Sequence, residues 1–222
     1  MGLYIGLLMV LSYFLGSIPS GLVIGKVFKN IDIREHGSKN TGATNATRVL
    51  GFRYGIFAFI FDGLKGALVI ILLAIINNPD LYIIGTSEIN ILSLYGAAAV
   101  VGHVFPVYIN FKGGKAVATS AGMVFAIDWR LATIVLVIFF TIYFTTRYVS
   151  LSSMVAAGSA VLWFIIRFFF FEDHNFETRL LEMIVIILLA ILIFARHKAN
   201  RMRLKYGTEV RFFFFKKKDG SE

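Results

Sequence analysis

The sequence predicts an all-α, polytopic membrane protein with seven transmembrane helices, and three observations lead to that fold. First, 58% of its 222 residues are hydrophobic and the mean hydropathy is +0.78, more apolar surface than one water-soluble core of this size can bury. Second, apolar runs approach the length of about 20 residues that crosses a bilayer as a helix. Third, the charged residues collect in the gaps between those runs.

The runs fall at about 3–28, 53–76, 89–108, 116–127, 131–146, 150–171 and 179–196. The first is too long for a cleaved signal and lacks a charged leading region, so it reads as a retained span. Its GSIPSG stretch, Gly16 to Gly21, interrupts helical regularity, and Pro19 predicts a kink. The second carries Asp62 and Lys65 at i, i+3, read first as a structural ion pair because either charge alone inside a membrane is costly. The fourth is short and rich in small residues, as suits a tilted or half-buried helix packed closely on its neighbours. Ser150, Ser152 and Ser153 open the sixth, where they can cap the helix or supply a further donor.

Charge placement sets the expected topology, since Lys and Arg in short loops stay on the cytoplasmic side. The loop after the first run holds Lys26, Lys29, Arg34, Lys39, Arg48 and Arg53, the loop after the third holds Lys112 and Lys115, and the fifth ends in Arg147. The gap from Asn77 to Glu88 has no cation, and the one from Glu172 to Thr178 is acidic. An odd number of spans follows, with the N-terminus outside and the C-terminus cytoplasmic; five spans would satisfy the same parity. Residues 1–208 are expected to form a single membrane domain with a cytoplasm-facing site. Residues 209–222 are expected to form a short basic cytoplasmic tail, whose FFFFKKK run, Phe212 to Lys218, suits an anchor to anionic lipid.

Several function classes drop out. The chain has no cysteine, so disulfide and thiolate chemistry are excluded. Its four histidines are scattered and lack clustered acids, so no metal site is suggested and no cofactor is expected. The net charge of +9 is topological in a membrane protein and points to the lipid bilayer rather than to nucleic acid. The oligomeric state stays unassigned.

Three polar islands share the predicted cytoplasmic face. GSKNTGATNATR, Gly37 to Arg48, combines glycines, hydroxyl and amide side chains including Ser38, Asn40, Thr44 and Asn45, and the cations Lys39 and Arg48. It fits an oxyanion or phosphate cradle, and equally an ordinary solvated loop. Around Gly113, Gly114 and Lys115 the chain has two glycines, a lysine and a following helix N-terminus, which suits an anion site or a tight interfacial turn with snorkelling lysines. The spacing is not that of a Walker A loop. His103 reads as a hydrogen-bonded structural histidine or a direct participant. In the third island, His197, Asn200 and Arg203 fall on roughly one face if the last helix runs on, fitting either phospholigand chemistry or a basic juxtamembrane helix.

These islands, GSKNTGATNATR at 37–48, GHVFPVYINFKGGKAVAT at 102–119 and HKANRMRLKYGTE at 197–209, occur in an order that resembles the bacterial acyl-phosphate:glycerol-3-phosphate acyltransferases, the PlsY family. The resemblance covers essentially the whole chain. It implies a seven-helix enzyme that transfers a fatty acyl group from acyl phosphate to the 1-position of glycerol 3-phosphate, releasing lysophosphatidic acid and phosphate. On that resemblance Ser38, Arg48 and His197 are expected to be catalytic. Asn40, Thr44, Asn45, Gly113, Gly114, Lys115 and Asn200 are expected to bind substrate, and Glu209 to serve structure. Lys39 departs from the small residue expected there. No histidine has an aspartate five residues later, so the HxxxxD pair of other glycerophosphate acyltransferases is absent. Two other classes are a non-enzymatic membrane anchor or assembly protein, which leaves the clustering of glycines, cations and His197 unexplained, and a transporter of a phosphorylated small molecule. It would place polar residues at the bilayer midplane and repeat its halves, whereas here the polar groups, Asp62 and Lys65 aside, gather at one face.

Overall fold

The computed structural model describes residues 2–78, 80, 82–86, 88–170 and 175–213. Phe171, the acidic gap residues Glu172 and Asp173, His174 and most of the FFFFKKK run lie outside the described residues. The chain forms ten α-helices among the described residues: α1 Gly2–Ser17, α2 Ser20–Lys29, α3 Ala43–Leu50, α4 Phe52–Ile76, α5 Leu92–Val104, α6 Val117–Ile127, α7 Trp129–Thr146, α8 Val149–Phe170, α9 Phe176–Arg196 and α10 Lys198–Lys205. A two-stranded antiparallel ladder, β1 Ile83–Ile84 with β2 Ile89–Asn90, interrupts the helical fold between α4 and α5. The apolar pattern did not anticipate it, because two residues per strand leave no alternation to read.

Among the described residues, five helical stretches are long and apolar enough to cross a membrane, namely α4, α7, α8, α9 and α5 with its continuation to Ile109, and the bent pair α1 and α2 taken as one span makes a sixth. The pair meets at 45°, at the Pro19 kink that the sequence predicts. The expected seventh crossing, α6, has 11 residues, about 16 Å of helix against a hydrocarbon core of about 30 Å. Its length follows from where it starts. Thr119 lies against Gly66 so closely that a Cβ on Gly66 would collide with the Thr119 carbonyl, and Gly122 packs on the Gly63 backbone in the same way. The first turn of α6 is therefore level with the middle of α4, and the 105–116 connection descends into the bundle to reach it.

The descent ends on polar groups inside α4. Asp62 lies ten residues in from the helix start, about 15 Å along its axis. The Lys65 ammonium sits 2.8 Å from the Asp62 carboxylate, with both side chains buried. Lys65 also donates to the Ile18 carbonyl at 2.8 Å, an acceptor released because the α1/α2 break removes the next helical turn from it. His103, at the end of α5, places Nδ1 3.6 Å from Asp62. Thus α1, α4 and α5 are tied at one buried polar point.

Elsewhere the helices join through apolar clusters, of which one includes Ile70, Met123, Leu131, Phe164, Ile186 and Leu189 and another Val69, Leu73, Ile91 and Tyr95. At the end remote from the polar loops, Asp128 caps α7 and Asn175 caps α9. Asn175 also donates to the Glu88 carbonyl, and the Asn90 N–H donates to Thr178, stitching the ladder to α9.

The buried pair predicts an asymmetric response to mutation. Lys65→Met leaves Asp62 as an uncompensated buried charge and lowers stability by about 3–5 kcal/mol, whereas the double variant Asp62→Asn/Lys65→Met recovers most of that loss. Thermal unfolding of the detergent-solubilised variants checks this.

Candidate functional site

The loops joining α2 to α4, α5 to α6, α7 to α8 and α9 to α10 meet at one end of the bundle, around a cleft of about 910 Å³. Its mouth is polar. The 37–42 segment turns back at Gly37, where φ is +60°, and its conformation is held from within by Asn45. The Asn45 side chain is 1% exposed; its Oδ1 accepts from the Ser38 N–H at 2.7 Å, and its Nδ2 donates to the carbonyls of Ile33, Asn40 and, more weakly, His36. Its hydrogen bonds therefore shape the loop that carries Ser38, and Asn45 also borders the cleft. Asn40 accepts from the Gly42 N–H, which turns the chain into α3. Ser38, Asn40, Thr44 and Arg48 all line the cleft. The stretch from Ala43 to Leu50 is helical, where the sequence suggested only a polar loop, because α3 buries Ala46 and Leu50 against Ile24, Ile33 and Ala58.

The second island divides into a residue that faces the cleft and two that support it. Lys115 lines the cleft, whereas Gly113 and Gly114 are absent from its lining. Their N–H groups donate to the carbonyls of Val104 and His103 at 3.2 and 3.0 Å, and their carbonyls accept from Arg196. Both glycines allow close approach: a Cβ at Gly113 would strike the His103 carbonyl, and one at Gly114 the His103 ring. The loop can rest on the end of α5 only without side chains there, and this contact sets the height of Lys115.

Opposite stands the third island. Helix α9 stops at Arg196, and His197 forms the joint to α10, so the expected continuous helix is broken. His197 is 2% exposed, and its Nδ1 lies 2.8 Å from the Ile193 carbonyl. A carbonyl only accepts, so Nδ1 carries the proton and the neutral ring keeps a lone pair on Nε2. Burial, and secondarily the nearby Lys115 charge, push the imidazole down to about 4. Asn200 accepts from the Lys115 ammonium at 2.6 Å and donates to Glu209 at 2.7 Å. Glu209 also accepts from Ser150 at 2.6 Å and from Arg203 at 2.7 Å. Burial raises its carboxyl, but these three hydrogen bonds outweigh burial and hold it below the usual carboxylate range. Sequence reasoning gave Glu209 only a structural part and did not single out Arg196; the bond of Glu209 to Ser150 and those of Arg196 to the Gly113 and Gly114 carbonyls join residues distant in sequence.

Lys115 is the electrostatic focus. Burial pushes it down to about 8, against the attraction of Glu209, and Arg203, Arg196 and Arg48 add like-charge repulsion. A cluster of cations with one carboxylate among them favours an anion. Beyond this mouth the cleft becomes an apolar trough between α4, α7, α8 and α9, with Val135, Ala156, Ala160, Ile186 and Ala190 among its walls. Ile56, Phe59 and Phe140 also line it and are about two-fifths exposed on the outer surface of the bundle. Among the described residues no group of three His, Cys, Asp or Glu is placed to hold a metal.

A bundle of apolar helices with a cleft that is cationic and hydroxyl-lined at one end and greasy at the other defines an integral membrane protein with a site for an amphiphile bearing an anionic head. The family model described as Glycerol-3-phosphate acyltransferase matches residues 6–207. The chain belongs to that family, in its PlsY branch. It is similar to a glycerol-3-phosphate acyltransferase of Acholeplasma laidlawii, 43% identical over 93% of this chain and 92% of the relative. One from Macrococcus caseolyticus is 44% identical over 96% and 99% of the two chains. Crystal structures of PlsY (YgiH), an integral membrane glycerol 3-phosphate acyltransferase, are 36% identical. Its glycerol 3-phosphate form has a TM-score of 0.80, covering 94% of this chain and 96% of that one. Its lysophosphatidic acid form has a TM-score of 0.78 over 95% and 96%.

The two glycines separate by their clash partners. Gly114→Ala meets a side chain that can be removed, so its cost of about 1–3 kcal/mol is largely relieved by His103→Ala. Gly113→Ala meets backbone and is not relieved. Melting temperatures of the single and double variants in detergent distinguish the two.

Proposed function

We propose that this protein transfers a fatty acyl group from acyl phosphate to the 1-hydroxyl of glycerol 3-phosphate, giving lysophosphatidic acid and inorganic phosphate, the first acylation step of phospholipid synthesis. The observation that carries this reading is the continuity of one cleft from Lys115, Arg48 and Ser38 to an apolar trough. The donor has a phosphate and a hydrocarbon tail on either side of its reacting carbon, and the acceptor is a small phosphate ester. The ligands named for the two PlsY crystal forms match those two demands.

Arg48 and Lys115 offset the substrate phosphates, and Asn200 fixes the Lys115 ammonium. Thr44 and Asn40 add polar contacts at the mouth, while Asn45, Gly113 and Gly114 hold the loops in place. The acceptor hydroxyl attacks the acyl carbonyl carbon. A new ester C–O bond forms, the C–O bond to phosphate breaks, and phosphate departs with the bonding pair. The proton of the hydroxyl passes to His197 Nε2, whose basicity rises once anionic substrate sits beside it. Ser38 donates to the carbonyl oxygen as negative charge develops there. Phosphate is already a good leaving group, so positioning and electrostatics supply most of the rate.

In this reading α6 completes a seven-span bundle, with the N-terminus outside and the C-terminus cytoplasmic. Lys115 at the start of α6 and Ser150 after α7 line the same cleft, so the pair goes down and comes back. The cleft then opens to the cytoplasm from the bacterial inner membrane.

Purified protein given palmitoyl phosphate releases phosphate and forms lysophosphatidic acid only when glycerol 3-phosphate is present, and does not use palmitoyl-CoA; no turnover by a folded preparation removes the proposal. His197→Ala lowers kcat by about 10²–10⁴. Lys115 is charged below about pH 8 in the free protein and neutral above. The value of kcat/KM for glycerol 3-phosphate therefore falls about tenfold per pH unit above that point, and Lys115→Arg, which keeps its charge, removes this alkaline limb.

A further inference from the structure

On two of its walls, α8 and α9, the lining of the trough stops at a definite level, while on α6 and α7 it continues to Val124 and Ala132. Along α8 its wall is Ser153, Ala157 and Ala160, residues that share one face by helical spacing. One turn further on the same face is Phe164, which is 2% exposed and packs in the same apolar cluster, yet is not part of the lining. Along α9 the deepest lining residue is Ile186, and one turn before it is Glu182. Glu182 accepts from Arg167 at 2.6 Å, with both side chains buried, and the Arg167 guanidinium lies 5.6 Å over the Phe164 ring. On the α8 wall the small lining residues therefore give way, one turn on, to a buried aromatic ring, and that ring is backed by a buried ion pair that bridges α8 and α9. Such a pair yields little to pressure from above, since separating it leaves charges unpaired in an apolar setting.

We propose that Phe164, held by Arg167 and Glu182, is the end stop that sets the longest acyl chain this protein accepts, with Ala160 setting the width just above it. The inference rests on reading the trough as the acyl-chain site. Phe164 is a specificity-determining residue here, remote from the reacting atoms. One helical turn is about 5.4 Å, or about four methylenes of an extended chain at about 1.3 Å each.

The test compares acyl phosphates from 10 to about 22 carbons, a range set by that methylene length, and reads the ratio of kcat/KM for long to short donors within each protein. Losses of folded enzyme then cancel. Phe164→Ala, or Phe164→Leu where alanine is not tolerated, moves the optimum to longer chains by about two to four carbons, and Ala160→Leu moves it to shorter ones by a similar amount. Opposite shifts from neighbouring positions support an end stop. Unchanged profiles in active variants overturn it and mean that the chain leaves the trough sideways into lipid. A wild-type protein that uses no acyl phosphate at all overturns the functional reading itself, a separate outcome.

Discussion

The fold depends on a pair of opposite charges inside a membrane helix. Asp62 and Lys65 are tolerated in α4 because each meets a partner, and every partner constrains an element. Lys65 needs an acceptor beyond Asp62 and finds the Ile18 carbonyl, which a continuous first helix would have kept for itself. Asp62 draws in His103, which fixes the end of α5. The ring and carbonyl of His103 then support Gly114 and Gly113. The recessed loop, the shortness of α6 and the height of Lys115 follow from this chain of contacts, so a charge pair that looks merely structural locates the polar floor of the cleft.

A second organiser works at the mouth. Glu209 is an acid among Lys115, Arg203, Arg196 and Arg48, and it gathers Ser150, Asn200 and Arg203 onto one carboxylate. It thereby joins α8 to α10 and, through Asn200, reaches Lys115. The segment that carries it continues to Phe212, which is buried and whose N–H donates to the Arg147 carbonyl at the end of α7. The mouth is closed into a ring of elements by groups that leave most of the cationic charge free to meet an anion.

Much of this was legible in the sequence, for identifiable reasons. Long apolar runs located α4, α7, α8 and α9 to within a few residues, and Pro19 marked the break between α1 and α2. Lys115, Ser38, Arg48, His197 and Asn200 were legible as a group through the motif resemblance, and the cleft brings them together. What escaped depends on contacts between distant residues. Helix α3 has too few apolar positions to announce itself and is stabilised by packing on α2 and α4. Asn45, Gly113 and Gly114 have backbone partners that no local pattern in the sequence reveals. The break at His197 leaves no mark in a sequence rich in helix formers. The 11 residues of α6 become intelligible only once its starting depth is known.

The side of the trough, rimmed by Ile56, Phe59 and Phe140, faces the hydrocarbon while its mouth faces water. For an amphiphile this separates two routes. The head can exchange through the mouth, and the tail can enter the trough or leave it through the flank without entering water, while a seated tail still runs along the trough. Moving a 16-carbon chain through water would cost on the order of 12 kcal/mol at about 0.8 kcal/mol per methylene, a barrier that would make escape slower than most chemistry. On the proposed activity, release through this flank is two-dimensional diffusion, and the protein would work as a phase boundary at which a water-soluble head acquires, or gives up, an anchor that stays in the bilayer throughout.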